Sequence, residues 1–277
     1  AVNSPQLLEL SGIGQPEILQ SHGIEVRHAL AGVGENLRDH YAPRMMWNVK
    51  SPGLTYNDKA RGVKMVWQAL RYATTGKGLL GLPASPMRAY VRSREGLDSP
   101  DIGISWIPFL VQDGYKLHND SGMTVIPHPL RSESTGSIHI GTDKADVPPA
   151  IRFNFLSAEY DRQITLAAME IVRGVMGAPA MAAVQAEEIA PGQALQGDDE
   201  LLDWVKATAE TAYHPVGTCK MGNDDRAVVD ENLRVHGIQN LRVADASIMP
   251  TLTSGNTNAP SIMIGEKAAA MALESAT

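Results

Sequence analysis

Three stretches in the last quarter of the chain decide its interpretation: Tyr213-His-Pro-Val-Gly-Thr-Cys-Lys-Met-Gly222, Val243-Ala-Asp-Ala-Ser247 and Ser254-Gly-Asn-Thr-Asn-Ala-Pro260. The first stretch carries a candidate base, His214, and the third carries a candidate hydrogen-bonding amide, Asn258. The third stretch also opens an apolar segment, Ser261 to Leu273, which predicts a helix buried on nearly all sides. The sequence therefore places a candidate base and a candidate hydrogen-bonding amide on two separate loops.

Composition limits the class of protein. The 277 residues are enough for one large or two small domains, and 43% hydrophobic with 20% charged residues is typical of globular proteins. The net charge of −7 argues against non-specific nucleic-acid binding, which depends on Lys and Arg. Cys219 is the only cysteine, so no intrachain disulfide can form. Because no apolar run of membrane-spanning length occurs either, we expect a cytoplasmic protein without a transmembrane segment.

Both ends of the chain have α/β character. Pro5 to Leu10 reads as a short helix with Ser4 as its N-cap, and Pro16 to His22 reads as a second helix that ends at Gly23. Alternation of apolar and polar residues predicts a strand at Ile24 to Leu30, and another is predicted at Asn240 to Ala246. We therefore expect the two ends to return to one domain.

The middle of the chain is rich in predicted strands separated by Gly, Pro and Asp turns, which favours a largely antiparallel sheet. The predicted helices there have apolar residues at helical spacing or acidic residues in the first turn. The predicted strands are Met45 to Val49, Met87 to Val91, Ile102 to Leu110, Thr124 to Pro127, Ser137 to Ile140 and Ile151 to Phe155; the predicted helices are Val63 to Ala73, Glu159 to Val175 and Asp198 to Ala212.

Each candidate site residue also has an ordinary structural interpretation. A histidine followed by proline, as at His214, is commonly a turn residue, and an Asn in a Gly-Asn-Thr-Asn stretch commonly bonds its own backbone. Asp245 lies at the carboxyl end of a predicted strand, where ligands gather in open α/β sheets, but an Asp at that place is also a usual turn residue. Cys219 is best interpreted as a small buried thiol.

Two other patterns do not predict sites. Gly32-Val-Gly-Glu-Asn-Leu37 has the first two glycines of a dinucleotide fingerprint but lacks the third small residue and the helix that must follow. The remaining histidines are scattered and lack the His-Glu-x-x-His spacing, so we expect no metal site. They are His22, His28, His40, His118, His128, His139 and His236.

The three C-terminal stretches together resemble the last block of the glucose-methanol-choline (GMC) family of flavin-dependent alcohol oxidoreductases, in particular its choline-dehydrogenase-like branch. The first residues, Ala1-Val-Asn-Ser-Pro-Gln-Leu-Leu-Glu-Leu-Ser-Gly-Ile-Gly14, resemble a second family signature without its first small residue. Leu130 to His139, Pro149 to Asn154 and the Gly-Glu-Asn-Leu-x-Asp-His element ending at His40 are similar to interior segments, and the family places that element close to the cofactor.

The resemblance implies an FAD-dependent oxidoreductase acting on CH–OH groups, with hydride passing from the alcohol carbon to flavin N5. His214 would take or steer the hydroxyl proton, and Asn258 would orient the hydroxyl and stabilise the alkoxide. Asp245 and Ala246 would approach the pyrophosphate and ribityl region of FAD. The turn of Asn256, Thr257, Asn258 and Pro260 would bring a helix N-terminus to the flavin, where its partial positive charge favours the reduced ring.

The resemblance further implies segments 1–38 and 207–277 of an FAD-binding Rossmann-like domain, around a substrate-binding domain at 39–206. Because Ala1 lies inside a signature and the Gly-rich ADP-binding segment is absent from the sequence, we expect the C-terminal half of an enzyme. That half would hold FAD only beside a companion N-terminal half, and it would act on a small-molecule alcohol. Leu80 to Met87 differs from choline-specific members, which leaves the alcohol open. The alternatives are a hydroxynitrile-lyase-like flavoprotein and a non-catalytic remnant or binding module.

Overall fold

The computed structural model describes residues 1–112 and 116–274. Its α-helices are α1 (Asn3–Leu10), α2 (Pro16–Ser21), α3 (Tyr56–Lys59), α4 (Gly62–Thr75), α5 (Glu159–Met176), α6 (Asp198–Thr208) and α7 (Asn258–Glu274). Among the described residues, six of the seven α-helices follow the predicted pattern with ends that differ by a few residues, and α3 was not predicted. Short 3-10 helices occur at Leu79–Gly81, Pro179–Val184 and Ala246–Ile248.

Most strands are short. They are β1 (Ile13–Gly14), β2 (His28–Ala29), β3 (Tyr41–Ala42), β4 (Met45–Val49), β5 (Met87–Val91), β6 (Ile102–Ile107), β7 (Val111–Gln112), β8 (Lys116–Leu117), β9 (Gly122–Pro129), β10 (Ser137–His139), β11 (Ala150–Arg152), β12 (Ala186–Ala190) and β13 (Glu210–Thr211). β1 and β2 pair in parallel, whereas the ladders of β4, β5, β6, β9 and β12 and the pairs β7–β8 and β10–β11 are antiparallel.

The chain forms two compact units. The first contains residues 1–40, 130–161 and 211–277, and the second contains residues 41–129 and 162–210. Both ends of the chain thus lie in the first unit. The predicted middle domain, 39–206, differs from this division because residues 130–161 belong with the ends. The reason is a set of contacts from β10 and Ile140 to the buried carboxylate of Glu9 in α1.

The core of the first unit draws on segments from the whole length of that unit. Leu8 of α1 and Val33 lie in the same apolar cluster as Val216 and Cys219, and Ile264 of α7 completes it. Because these side chains come from distant parts of the sequence, burying them fixes the loops between them. The loop that carries His214 is among those loops.

The second unit is built on a five-stranded antiparallel sheet, within its described residues, of order β12–β4–β9–β6–β5. Met45, Trp47 and Val49 of β4 are buried while the residues between them are partly exposed, as expected for a strand with one face on a core. In the central strand, Val125 pairs with Met45 on one side and Trp106 on the other. The predicted antiparallel sheet is confirmed.

Several local predictions are wrong. Asn240 to Ala246 is not a strand, because Arg242 forms only an isolated bridge with Arg234. Of the strand predicted at Ile24 to Leu30, only His28–Ala29 form a strand, β2. Ser4 lies inside α1, which begins at Asn3 with Val2 as its N-cap, and its hydroxyl donates a hydrogen bond to Asp245.

Helix α7 is less buried than its composition predicts. Ile264 and Ala268 lie in the core of the first unit, but Ile262, Met263 and Leu273 are 59%, 50% and 71% exposed. The helix therefore presents an apolar side that no described residue covers. None of the described helices has the length and apolar character required to cross a membrane.

Candidate active site

The loop that carries His214 is paired with the segment that ends at His40. The backbone N–H groups of Arg38 and Val216 each donate to the other residue's carbonyl, at 3.0 and 2.9 Å, and the Ala212 N–H donates to the His40 carbonyl at 2.9 Å. Two non-helical segments are thereby held side by side. The Gly-Glu-Asn-Leu-x-Asp-His element and the His214 motif, far apart in sequence, form one local structure.

The buried carboxylate of Asp39 fastens this loop. It accepts the His214 backbone N–H at 2.9 Å, the Thr211 hydroxyl and the His40 backbone N–H. Burial raises the pKa of the Asp39 carboxyl, and the three hydrogen bonds only partly offset that rise. Asp39 was not predicted as a site residue, although its place in the Gly-Glu-Asn-Leu-x-Asp-His element was a usable signal.

Tyr213, directly before His214, adopts a left-handed backbone with φ of 60°. This region is unfavourable for a bulky aromatic residue, and such conformations cluster at functional sites. The Tyr213 N–H donates to the Thr211 hydroxyl at 2.9 Å, while the side chain is exposed. The unfavourable backbone conformation of Tyr213 is therefore stabilised by the same group of hydrogen bonds that positions His214.

The second predicted stretch lies along the far end of the His214 loop. The N–H groups of Cys219 and Met221 donate to the carbonyls of Ser247 and Ile248 at 2.9 and 2.8 Å, and the Gly217 N–H donates to Ala246. Two cofactor-site candidates, Asp245 and Ala246, are thus brought beside the His214 motif.

The Asp245 carboxylate caps the short helix that begins at Ala246 by accepting the Ser247 N–H at 2.6 Å. Burial would raise the pKa of this carboxyl, but hydrogen bonds from Ser4 and Ser247 act against that rise, and the pKa is lowered overall. Asp245 is therefore ionised and already bonded to protein groups. The structure gives it a helix-capping position rather than the strand end that the sequence predicted.

The third stretch brings an amide to His214, but the residue is Asn256. Its side-chain nitrogen Nδ2 lies 3.0 Å from Nε2 of His214. Asn258 is the first residue of α7 and has an exposed side chain, and Thr257 between them is buried. Asn256 was predicted only as part of the cofactor turn, because spacing along the chain does not specify the side-chain directions of adjacent turn residues.

A second histidine meets His214 from the opposite side. Nδ1 of His40 lies 3.0 Å from Nδ1 of His214, and the two rings meet edge to face with centroids 5.2 Å apart. His40 has no exposed surface, and its Nε2 lies 3.0 Å from the Leu130 carbonyl oxygen. His40 was predicted to be one of several scattered histidines, an interpretation that its contact with His214 corrects.

Other candidates remain outside this arrangement. Cys219 is fully buried, which raises the pKa of its thiol to about 12 and confirms the prediction of an unreactive buried thiol. Across residues 1–112 and 116–274, no cluster of three or more His, Cys, Asp or Glu side chains could hold a metal ion.

Comparison with known protein families and structures identifies the class of protein to which this fold and these paired loops belong. Residues 132–265, which include His214 and Asn258, match the family model described as GMC oxidoreductase. The chain belongs to the GMC oxidoreductase family, in agreement with the resemblance seen in the sequence.

Among curated relatives, the chain is 40% identical over 273 residues to the oxygen-dependent choline dehydrogenase of Staphylococcus saprophyticus. The match covers 97% of this chain and 49% of that protein. The chain thus spans about half the length of the curated relatives it matches.

Solved structures of similar fold include two oxidases. Pyridoxine 4-oxidase from Mesorbium loti is 27% identical with a TM-score of 0.78, and the match covers 98% of this chain and 49% of that one. A formate oxidase of Aspergillus oryzae RIB40, studied for modification of its FAD, is 25% identical with a TM-score of 0.88. That match covers 98% of this chain and 52% of the oxidase.

Proposed function

We propose that the chain is the part of an FAD-dependent alcohol oxidoreductase that supplies the acid–base side chains. The observation that carries the proposal is the contact between His214 Nε2 and Asn256 Nδ2 at the start of α7. Relatives whose names refer to choline dehydrogenase and pyridoxine oxidation support a substrate with a CH–OH group. The alternatives, a hydroxynitrile-lyase-like flavoprotein and a non-catalytic binding module, predict different results when His214 is replaced.

The residues near α7 fit a flavin. The first turn of α7 carries no acidic side chain, so its N–H groups and partial positive charge are free of an internal counter-ion. Asn256 and Asn258 add exposed amides, and Asp245 with Ala246 lies along the neighbouring segment. When bound, FAD would accept the hydride that leaves the alcohol carbon.

The protein's own part in the reaction is to handle the hydroxyl proton. His214 accepts this proton, because an alcohol releases hydride more readily once its oxygen loses the proton. Asn258 orients the hydroxyl and stabilises the developing negative oxygen, as a preorganised donor does. Asn256 holds the His214 ring at Nε2 and yields that position to the substrate.

The first unit supplies part of an FAD-binding, Rossmann-like domain under this proposal, and the five-stranded sheet of the second unit supplies the substrate-binding part. The apolar side of α7, with Ile262 and Leu273 exposed, is a surface for the N-terminal half of such an enzyme. Without that half, the chain would expose this side and self-associate.

Replacing His214 tests the function. In the intact parent enzyme, His214→Ala should slow anaerobic flavin reduction by an alcohol at least about a hundredfold, while His22→Ala, remote in the sequence, should not. Reduction at near wild-type rates in His214→Ala contradicts the assignment. Cyanide release from a cyanohydrin without flavin bleaching would instead support the lyase, and the absence of both reactions would support a binding module.

Separate expression tests the companion half. The 277-residue chain alone should be colourless and should elute as oligomers, and it should hold FAD when co-expressed with an N-terminal half. The double substitution Ile262→Lys and Leu273→Lys should reduce the oligomers because it charges the apolar side of α7. A monomeric, yellow and active chain, with no second polypeptide on a denaturing gel, would show the companion proposal to be wrong.

A further inference from the structure

We propose that His40 is a positioning residue that fixes which ring nitrogen of His214 carries the proton. The consequence for catalysis rests on the proposed function, but the protonation state itself does not. His40 is fully buried, touches His214 ring to ring and is held from behind by the Leu130 carbonyl. No step of the proposed reaction uses His40 directly.

The hydrogen bonds of His40 determine its own tautomer. A carbonyl oxygen only accepts hydrogen bonds, so Nε2 of His40, 3.0 Å from the Leu130 oxygen, carries a proton. A buried imidazole is favoured in its neutral form, because burial penalises the charged form. Nδ1 of His40 is then an acceptor without a proton.

The tautomer of His214 follows from that of His40. The two Nδ1 atoms are 3.0 Å apart and share one hydrogen bond, which His214 must donate. Neutral His214 therefore carries its proton on Nδ1 and has a lone pair on Nε2. The same assignment lets the Asn256 amide nitrogen, 3.0 Å from Nε2, act as the donor that its chemistry requires.

This arrangement directs the basic nitrogen of His214 away from the buried side. His214 is partly exposed and Asn256 is exposed, whereas His40 is fully buried, so the lone pair faces the accessible side. In the opposite tautomer, Nε2–H would donate to a substrate hydroxyl and could not take its proton. After Nε2 accepts a proton, the Nδ1–H bond to His40 strengthens because its donor is charged. The charged group nearest in the chain is Asp39, which accepts the backbone N–H groups of both histidines.

The protonation states can be measured directly. Two-bond 1H–15N correlation spectra of the ring-labelled 277-residue chain, recorded above the pH at which its histidines titrate, distinguish protonated from bare ring nitrogens. We expect a protonated Nδ1 and a bare Nε2 for His214, and the reverse for His40. A wild-type His214 that carries its proton on Nε2 would overturn the proposal without any variant.

Variants test the causal step. His40→Leu removes the acceptor and should shift His214 toward the Nε2–H form, while His40→Gln offers a side-chain oxygen and should restore the Nδ1–H form. His236→Leu is the matched control, since His236 also bonds a carbonyl, that of Gly222 at 3.0 Å, in another loop. An unchanged His214 tautomer in folded His40→Leu would overturn the proposal.

A second readout separates this proposal from the proposed function. In the intact holoenzyme, His40→Leu should lower kcat at least about tenfold with KM changed less than about twofold, and His40→Gln should recover most of the loss. If the tautomers are as stated but kcat is unaffected in both His40→Leu and His214→Ala, the role of His40 stands and the proposed function fails. If kcat falls only in His214→Ala, the positioning role fails.

Discussion

The carboxylate of Glu9 lies 2.6 Å from Nδ1 of His139, although the two residues are 130 positions apart in the chain. Its other oxygen accepts the Ile140 N–H at 2.8 Å, and Glu35 lies 3.4 Å from Nε2 of His139. Burial lowers the pKa of the His139 imidazole, but the bond and charge of Glu9, together with Glu35, outweigh this effect and raise it. This contact joins α1 to β10 within the first unit.

The raised pKa of His139 makes stability depend on pH. The folded state holds the His139 proton more tightly than the unfolded chain, so the stabilisation is complete below the ordinary pKa of 6.5 and is lost as pH rises through the folded-state value. Glu9→Gln should lower the free energy of unfolding by about 1–3 kcal/mol at a pH just below 6.5, where His139 is protonated. It should also make the free energy of unfolding depend less on pH. Urea unfolding at stepped pH measures both effects. The exposed-site control, Glu231→Gln, should change neither, and a Glu9→Gln profile parallel to wild type would contradict the assignment.

Asp39→Asn should loosen the His214 loop, because an amide cannot accept all three hydrogen bonds that the Asp39 carboxylate accepts. We expect the His214 backbone N–H to exchange with deuterium at least about fivefold faster, which corresponds to the loss of about 1 kcal/mol of local stability. Asp224→Asn, in an exposed loop where the carboxylate also accepts a backbone N–H, is the control. Equal exchange of the His214 N–H in wild type and Asp39→Asn would rule out this role.

Gly217→Ala should destabilise the first unit more than an ordinary loop substitution. Gly217 has φ of 93°, and an added Cβ would clash with the Asn36 carbonyl oxygen. Gly23→Ala separates the cost of the positive φ from the cost of the steric clash. Gly23 also has a positive φ, of 72°, but nothing lies within 4 Å of its added Cβ. Thermal unfolding should show a cost of about 1–2 kcal/mol for Gly23→Ala and a clearly larger one for Gly217→Ala. Similar losses in both would mean that the contact with Asn36 relaxes freely.

Cys219 should resist thiol reagents in the folded protein. With a pKa of about 12, roughly one thiol in ten thousand is ionised at pH 8, and burial blocks access as well. Mass spectrometry after iodoacetamide treatment should show an unmodified chain in buffer and one added group in urea. Rapid labelling in buffer would mean that the core around Cys219 opens readily.

The sequence alone determined the family, the helices and the antiparallel sheet. Those inferences depend on local patterns: apolar periodicity predicts α5 and β4, left-handed Gly23 ends α2, and the motifs around His214 and Asn258 are contiguous strings. Cys219 was likewise interpretable as a small buried thiol, because its neighbours in the sequence do not favour a nucleophile.

Only the tertiary structure decided which side chains meet. Asn256 rather than Asn258 contacts His214, and His40 contacts the His214 ring from the buried side. Glu9 binds His139, and residues 130–161 belong to the unit formed by the chain ends. Such contacts join segments far apart in the sequence, and their geometry depends on how one buried core positions several loops at once. Spacing along the chain specifies a residue's neighbours on its own helix or strand, but it does not specify which loops that core brings together.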